Sequence, residues 1–207
     1  MTTNEICRIL LIGGFLGMTA VGLYYRLKSR VPGEQLDRTQ EGVFIMIGLR
    51  LTAAATLVGM IAYMIEPQWM NWSAIPLPFW LRLLGAFGGA CASGLSAWTF
   101  HSLGKNLTDT VVVRRDHSLV TDGPYRWMRH PLYAAVLINV FSLTLLTASW
   151  FFLLGGGIVF AFLVLRTRVE EERLIECFGD DYRDYMPLVG RFLPRLRRTE
   201  PPRNKDQ

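Results

Sequence analysis

The hydrophobic positions of this chain fall in long runs rather than short alternations. Ile6 to Tyr25 is apolar except for Arg8 near its start, and Val43 to Ile65 carries one charge, Arg50. Phe79 to Phe100 is a third run, with Arg82 near its beginning. Leu132 to Leu165 then gives 34 residues without one Asp, Glu, Lys, Arg or His. A hydrocarbon core about 30 Å thick is crossed by roughly 20 apolar residues in a helix, so each of the first three runs predicts one transmembrane helix. The fourth is too long for one, since at 1.5 Å per residue it would reach about 51 Å. A tight hairpin of two short helices, turning near Thr147, Ala148, Ser149 and Trp150, fits better. The predicted fold is all-α: a polytopic membrane protein with five transmembrane helices and a cytosolic C-terminal helical cap.

Composition agrees. Charged residues make up 19% of the chain, against about 25% in soluble domains, which excludes a simple soluble enzyme and a disordered chain. The net charge of +5 would suit nucleic acid were it not for where the basic residues fall. Arg26, Lys28, Arg30 and Arg38 follow the first run, and Glu66 to Pro78 holds none. Lys105, Arg114, Arg115, Arg126 and Arg129 follow the third run, the hairpin turn holds none, and ten lie from Arg166 onward. This alternation puts the N-terminus outside and the His101–Pro131 loop and the tail in the cytosol. Topology therefore accounts for the basic excess, and no nucleic-acid partner is expected. The first run, closed by Tyr24-Tyr25-Arg26, is expected to be a retained anchor rather than a signal peptide.

Three widely spaced cysteines, Cys7, Cys91 and Cys177, argue against both a disulfide scaffold and a metal site. Gly88-Gly89-Ala90 with Gly94 offers a small-residue packing face, and Gly155-Gly156-Gly157 allows close helix approach or a kink. Three regions result: residues 1–100 as three transmembrane helices, 101–194 carrying the chemistry, and 195–207 as a flexible basic tail.

Two segments flank the charge-free hairpin. The first, Thr121-Asp122-Gly123-Pro124-Tyr125-Arg126-Trp127-Met128-Arg129-His130-Pro131-Leu132-Tyr133, holds a turn at Asp-Gly-Pro and a helix start at Pro131. His130 is thereby placed at the membrane surface, beside a helix N-terminus whose dipole favours anions. For these residue types alone, an interfacial anchor is an equally plain reading. The second segment runs from Arg166 to Gly179, with Arg166 and Glu170 four apart on one helical face and Gly179 as C-cap. Asp180 to Met186 follows as a short amphipathic piece bearing Tyr182 and Tyr185.

Taken together, Gly-Pro-Tyr, Arg-His-Pro-Leu-Tyr, an apolar hairpin, then Glu-Glu…Phe-Gly-Asp-Asp-Tyr-Arg-Asp-Tyr resembles the isoprenylcysteine carboxyl methyltransferase family of integral-membrane enzymes. The related phospholipid N-methyltransferases look similar over the same stretch, about Leu103 to Pro194. The resemblance implies methyl transfer from S-adenosyl-L-methionine at the cytosolic membrane surface. Carried across by motif, the cofactor would touch His117, Ser118, Leu119, Val120, Tyr125, His130, Pro131, Leu132, Tyr133 and Glu170. Arg166 falls where the family places a substrate-binding arginine, so Arg166 and Glu170 are the catalytic candidates. Eukaryotic members carry a polar contact upstream of the His117 position, but Thr110 to Asp116 here reads Thr-Val-Val-Val-Arg-Arg-Asp, so none is assigned.

The residues themselves suit that chemistry. No Gly-rich loop follows a strand, which disfavours a Rossmann methyltransferase. A cationic sulfonium cofactor wants an acid near its ammonium, which Glu170 supplies. It also wants donors near its carboxylate, for which His130 and helix-start amides are the candidates. Arg50, about 7 residues into its span, is expected to face the bundle and help bind an anionic acceptor, with snorkelling to the cytosolic surface as the alternative. The acceptor, entering from the bilayer, is expected to be lipophilic: a prenylated cysteine carboxylate first, an aminophospholipid or a small thiol otherwise. A non-catalytic membrane scaffold and a sterol-reductase-like protein are the readings from other classes. The expected location is a bacterial inner membrane rather than the endoplasmic reticulum, with the site facing the cytosol.

Overall fold

A computed structural model of the chain describes residues 2–29, 43–104 and 119–195. The helices are α1 (Thr3–Ser29), α2 (Val43–Ile65), α3 (Phe79–Leu103), α4 (Pro131–Thr147), α5 (Trp150–Phe178) and α6 (Asp180–Tyr185). Short 3-10 turns lie at Pro67–Ser73 and Gly123–Arg126, and no strand occurs among the described residues. The chain is thus an all-helical polytopic membrane protein. α1, α2, α3 and α5 are long and apolar enough to cross a bilayer, whereas α4 has 17 residues. That is about 26 Å of helix, slightly less than a hydrocarbon core. Each of the five predicted spans is helical, and the fifth crossing of the predicted count rests on this shorter helix.

The hairpin turn falls where it was expected. Ala148 sits in the left-handed region (φ 53°), and its N–H reaches Leu145 O and Thr144 O. The second arm departs from expectation. Instead of a short helix followed by a separate surface helix, Trp150 to Phe178 is one element of 29 residues. No Gly or Pro stands between Ile158 and Phe178, so nothing interrupts it until Gly179, which adopts φ 58°. The residues from Arg166 to Phe178 therefore ride on the same rod as the membrane-embedded segment.

Glycines set how closely the helices approach. At Gly85 a Cβ would come within 2.6 Å of both Leu146 N and Ser142 O, so α3 and α4 are almost backbone to backbone there. Gly88 and Gly89 face Ser142 as well, while Gly94 borders open space. On the other side of the bundle, Gly48 receives the Phe162 ring, Gly59 receives Phe151, and Gly155 meets Thr56, seating α2 on α5. Both glycine clusters noted in the sequence thus serve approach between helices of this chain.

At the hairpin-turn end, Cys7, Leu11, Tyr63, Met70, Leu146 and Phe152 form a core in which Arg82 is embedded at 6% exposure. Its guanidinium donates from Nε to Leu146 O (3.0 Å), from Nη1 to Asn4 Oδ1 (2.7 Å) and from Nη2 to Tyr63 Oη (2.8 Å). These bonds join the starts of α1 and α3 to the ends of α2 and α4. Ser73 and Ser149 share a hydrogen bond (2.7 Å), and Trp72 packs edge-on against Trp150 and Phe151. This end is sealed, and the candidate chemistry lies at the other.

Candidate functional site

At the opposite end, Gly123 (φ 61°) and Pro124 start a 3-10 turn that delivers Tyr125 to Arg129 towards the first turn of α4. Pro131, at the first helical position, starts α4 and leaves His130 as its N-cap residue. After α6 the chain returns as a strap over this loop. Arg129 N–H donates to Gly190 O (2.8 Å), His130 N–H to Arg191 O (3.0 Å) and Gly190 N–H to Trp127 O (3.1 Å). Beneath, Tyr182, Tyr185 and Val189 form a small core with Leu119, Leu174, Ile175 and Phe178 around it. Tyr185 Oη also donates to Tyr125 O (2.6 Å).

The imidazole of His130 is buried, stacked on Tyr133 (centroids 5.4 Å, planes 8° apart) and bordered by Phe192 at 5.8 Å. Its Nε2 lies 3.0 Å from Glu171 Oε1, and its Nδ1 lies 4.0 Å from Glu170 Oε1. The Tyr133 hydroxyl donates to Glu170 Oε2 (2.8 Å). Glu171 is the more enclosed of the two acids. Arg129 Nε stands 3.1 Å from its Oε1, and Arg191 Nη2 stands 3.2 Å from its Oε2. Arg129 also donates from Nη1 to Met186 O (2.7 Å), tying the cluster to the strap.

Electrostatics follow from this crowding. Burial raises the Tyr125 hydroxyl pKa well above the ordinary tyrosine range, and the Glu170 charge adds to the effect. Tyr182 and Tyr185 are raised too, chiefly by burial, with the Arg129 cation pulling both the other way. All three hydroxyls stay neutral under any physiological condition. Glu171, between two guanidinium groups, acts as a carboxylate and can only accept. The shared bond is then a donation from His130 Nε2–H.

Of the residues singled out in the sequence, Tyr125, His130, Pro131, Leu132, Tyr133, Arg166 and Glu170 lie on the elements that meet at this end. His117 and Ser118 lie outside the described residues. Leu119 packs against the cap core, and Val120 is half-buried beside it in sequence. Arg166, half-buried, lies one helical turn from Glu170. One expectation needs correction. Arg50 is exposed on the outside of α2 rather than enclosed by the bundle, because Gly48, Thr56 and Gly59 are the positions of α2 that seat against α5. His130, expected with the helix-start amides to supply donors to a cofactor carboxylate, has its Nε2 3.0 Å from Glu171 Oε1.

Sequence reasoning missed Glu171, Arg191 and Phe192. The adjacent glutamates are 100° apart on a helix, so which one turns inward depends on helical phase. Arg191 and Phe192 sit in a non-periodic strap, and no pattern marked them.

An all-helical membrane bundle with an acid–histidine–tyrosine cluster where two of its helices meet a short cytosol-type cap defines a class. That class is the polytopic helical membrane proteins that carry a polar cluster at one end of the bundle. Residues 89–176 match the isoprenylcysteine carboxyl methyltransferase (ICMT) family. Among its relatives is a protein-S-isoprenylcysteine O-methyltransferase of Dictyostelium discoideum, 30% identical over 133 residues, 62% of this chain and 56% of the relative. Another is a methanethiol S-methyltransferase of Pseudomonas deceptionensis, 35% identical over 89 residues, 41% of this chain and 31% of the relative. The chain thus spans about half or less of these relatives' length. The solved structure of the eukaryotic intramembrane Ras methyltransferase ICMT superposes with a TM-score of 0.54. It is 20% identical and covers 89% of this chain and 67% of that one, a likeness of fold.

Proposed function

We propose that the protein is a membrane methyltransferase that takes its methyl group from S-adenosyl-L-methionine. The observation that carries this reading is the pair His130 Nδ1 and Glu170 Oε1. These are two acceptors 4.0 Å apart, too far to bond each other and well spaced for one donor between them. An ammonium group meets both, and the neighbouring carboxylate makes a cation preferable to water. The first turn of α4 suits a carboxylate, and Tyr125 and Tyr133 provide ring faces beside polar groups. When bound, the cofactor supplies an electrophilic methyl on a sulfonium.

Most of what remains is alignment. A prenylcysteine carboxylate is already ionised at neutral pH, so no general base is needed. Arg166 holds that carboxylate one turn from Glu170, and the protein contributes orientation and exclusion of water. A lipophilic tail reaches the site from the bilayer. A second reading is S-methylation of a small thiol, favoured by the named activity of the Pseudomonas deceptionensis relative and of a Bradyrhizobium diazoefficiens relative at 29% identity.

The test is binding of radiolabelled S-adenosylmethionine to the detergent-purified protein. A charge-assisted hydrogen bond contributes roughly 1.5–3 kcal/mol, so Glu170→Gln should weaken binding by about 10- to 150-fold. Arg166→Ala should leave cofactor binding nearly intact and lower turnover of a farnesylcysteine acceptor by at least as much. Methylation of methanethiol in its place selects the second reading. An absence of cofactor binding by the unaltered protein rejects both.

A further inference from the structure

His130 is held from one side by Glu171, and Glu171 draws charge from three separate parts of the chain. Its carboxylate comes from α5, Arg129 from the loop before α4, and Arg191 from the strap after α6. Such a cluster could exist simply to fasten the three segments. The loop and strap, however, are already fastened by main-chain bonds at Arg129, His130 and Gly190, and by Arg129 Nη1 to Met186 O. What Glu171 adds is the bond to the imidazole at 3.0 Å.

We propose that Glu171 is the positioning residue for His130. It selects the tautomer protonated at Nε2 and thereby presents the Nδ1 lone pair towards Glu170, with the two arginines holding Glu171 ionised so that it can only accept. The tautomer of a neutral histidine follows from what its other nitrogen bonds. Stacking on Tyr133, with planes 8° apart, fixes the ring's plane but not which nitrogen carries the proton. Without Glu171 the imidazole is free to protonate Nδ1, which would place a donor against the incoming ammonium. Glu171 touches neither ligand in this arrangement and acts through His130 alone.

This inference rests on the cofactor reading above, so its test has an arm that does not. Nitrogen NMR of the purified protein labelled with ¹⁵N-histidine reports the tautomer directly, the His130 signals being assigned by their loss in His130→Asn. The unaltered protein should show the Nε2–H tautomer at neutral pH, and Glu171→Leu should shift it to a mixture. Glu171→Leu should raise the dissociation constant for S-adenosylmethionine by about 10- to 100-fold. Arg191→Met, which leaves the carboxylate in place, should raise it less. An Nδ1–H or doubly protonated His130 in the unaltered protein overturns the proposal, and this measurement stands even if the Glu171 variant fails to fold. A lower melting temperature in Glu171→Leu with unchanged cofactor affinity overturns it as well, leaving Glu171 a fastener. Failure of the unaltered protein to bind the cofactor rejects the methyltransferase reading, while the NMR result still decides the role of Glu171.

Discussion

Replacing Arg82 by methionine should loosen the bundle while leaving the site at the other end unaltered. The guanidinium is over nine-tenths buried and makes three bonds, but these are not equivalent. Leu146 O belongs to the last turn of α4, where carbonyls have no partner within the helix, so Arg82 Nε acts as its cap. Tyr63 Oη is buried, whereas Asn4 is exposed and can turn to water. Two buried groups left unsatisfied cost about 1–3 kcal/mol each. Two effects reduce the sum: hydrogen bonds between membrane helices average only about 0.6 kcal/mol, and removing a buried cation relieves its desolvation. A net loss of about 2–4 kcal/mol results, and in a chain of this length that lowers the melting temperature by about 5–15 °C. Thermal unfolding in detergent, followed by tryptophan fluorescence, measures it. Tyr63→Phe, which removes one partner, should lose about 1 kcal/mol. An unchanged melting temperature in Arg82→Met, or a loss of cofactor affinity well below that temperature, would refute the assignment of Arg82 to stability alone.

Two further outcomes follow from the geometry. Gly85→Ala forces α3 away from the α4 backbone, since the new methyl meets Leu146 N and Ser142 O rather than a yielding side chain; a loss of about 1–3 kcal/mol is expected in the same unfolding assay. Tyr125, Tyr182 and Tyr185 should resist ionisation in an alkaline absorbance titration. Their folded pKa values lie above the unfolded value of about 10, so the unfolded chain releases protons first and stability falls as the pH rises beyond that point. Reversible titration of all seven tyrosines at the ordinary pH, with the fold intact, would contradict the packing of the cap.

The helices were largely legible because a membrane leaves the chain few choices. Runs lacking charge must become helices, and the basic residues mark which connections stay on one side. The hairpin turn could be read from length alone, since 34 apolar residues exceed one crossing. The continuity of α5 is also legible in the absence of any helix breaker from Ile158 to Phe178, but the change from apolar to charged residues at Arg166 reads as a boundary. Arg82 was seen only as an interruption in a run. Its partners Asn4, Tyr63 and Leu146 are scattered along the sequence, and nothing local connects them. At the candidate site, motif order pointed to His130, Tyr133 and Glu170, which the structure brings together, while Glu171 needed the phase of α5 relative to α4. Arg191 and Phe192 needed the path of the strap.

The hairpin formed by α4 and α5 also works as a pair of tongs. Its pivot is the turn at Ala148, and its jaws are His130 on one arm and Glu170 with Glu171 on the other. The arms from pivot to jaw are about 26 Å on α4 and about 31 Å on α5, so a spread of only about 5° at the pivot would part the jaws by about 2 Å. That is enough to turn the 3.0 Å contact between His130 and Glu171 into a gap of about 5 Å. The Ser73–Ser149 bond, which sits at the pivot itself, thus bears on the spacing of a site that it never touches.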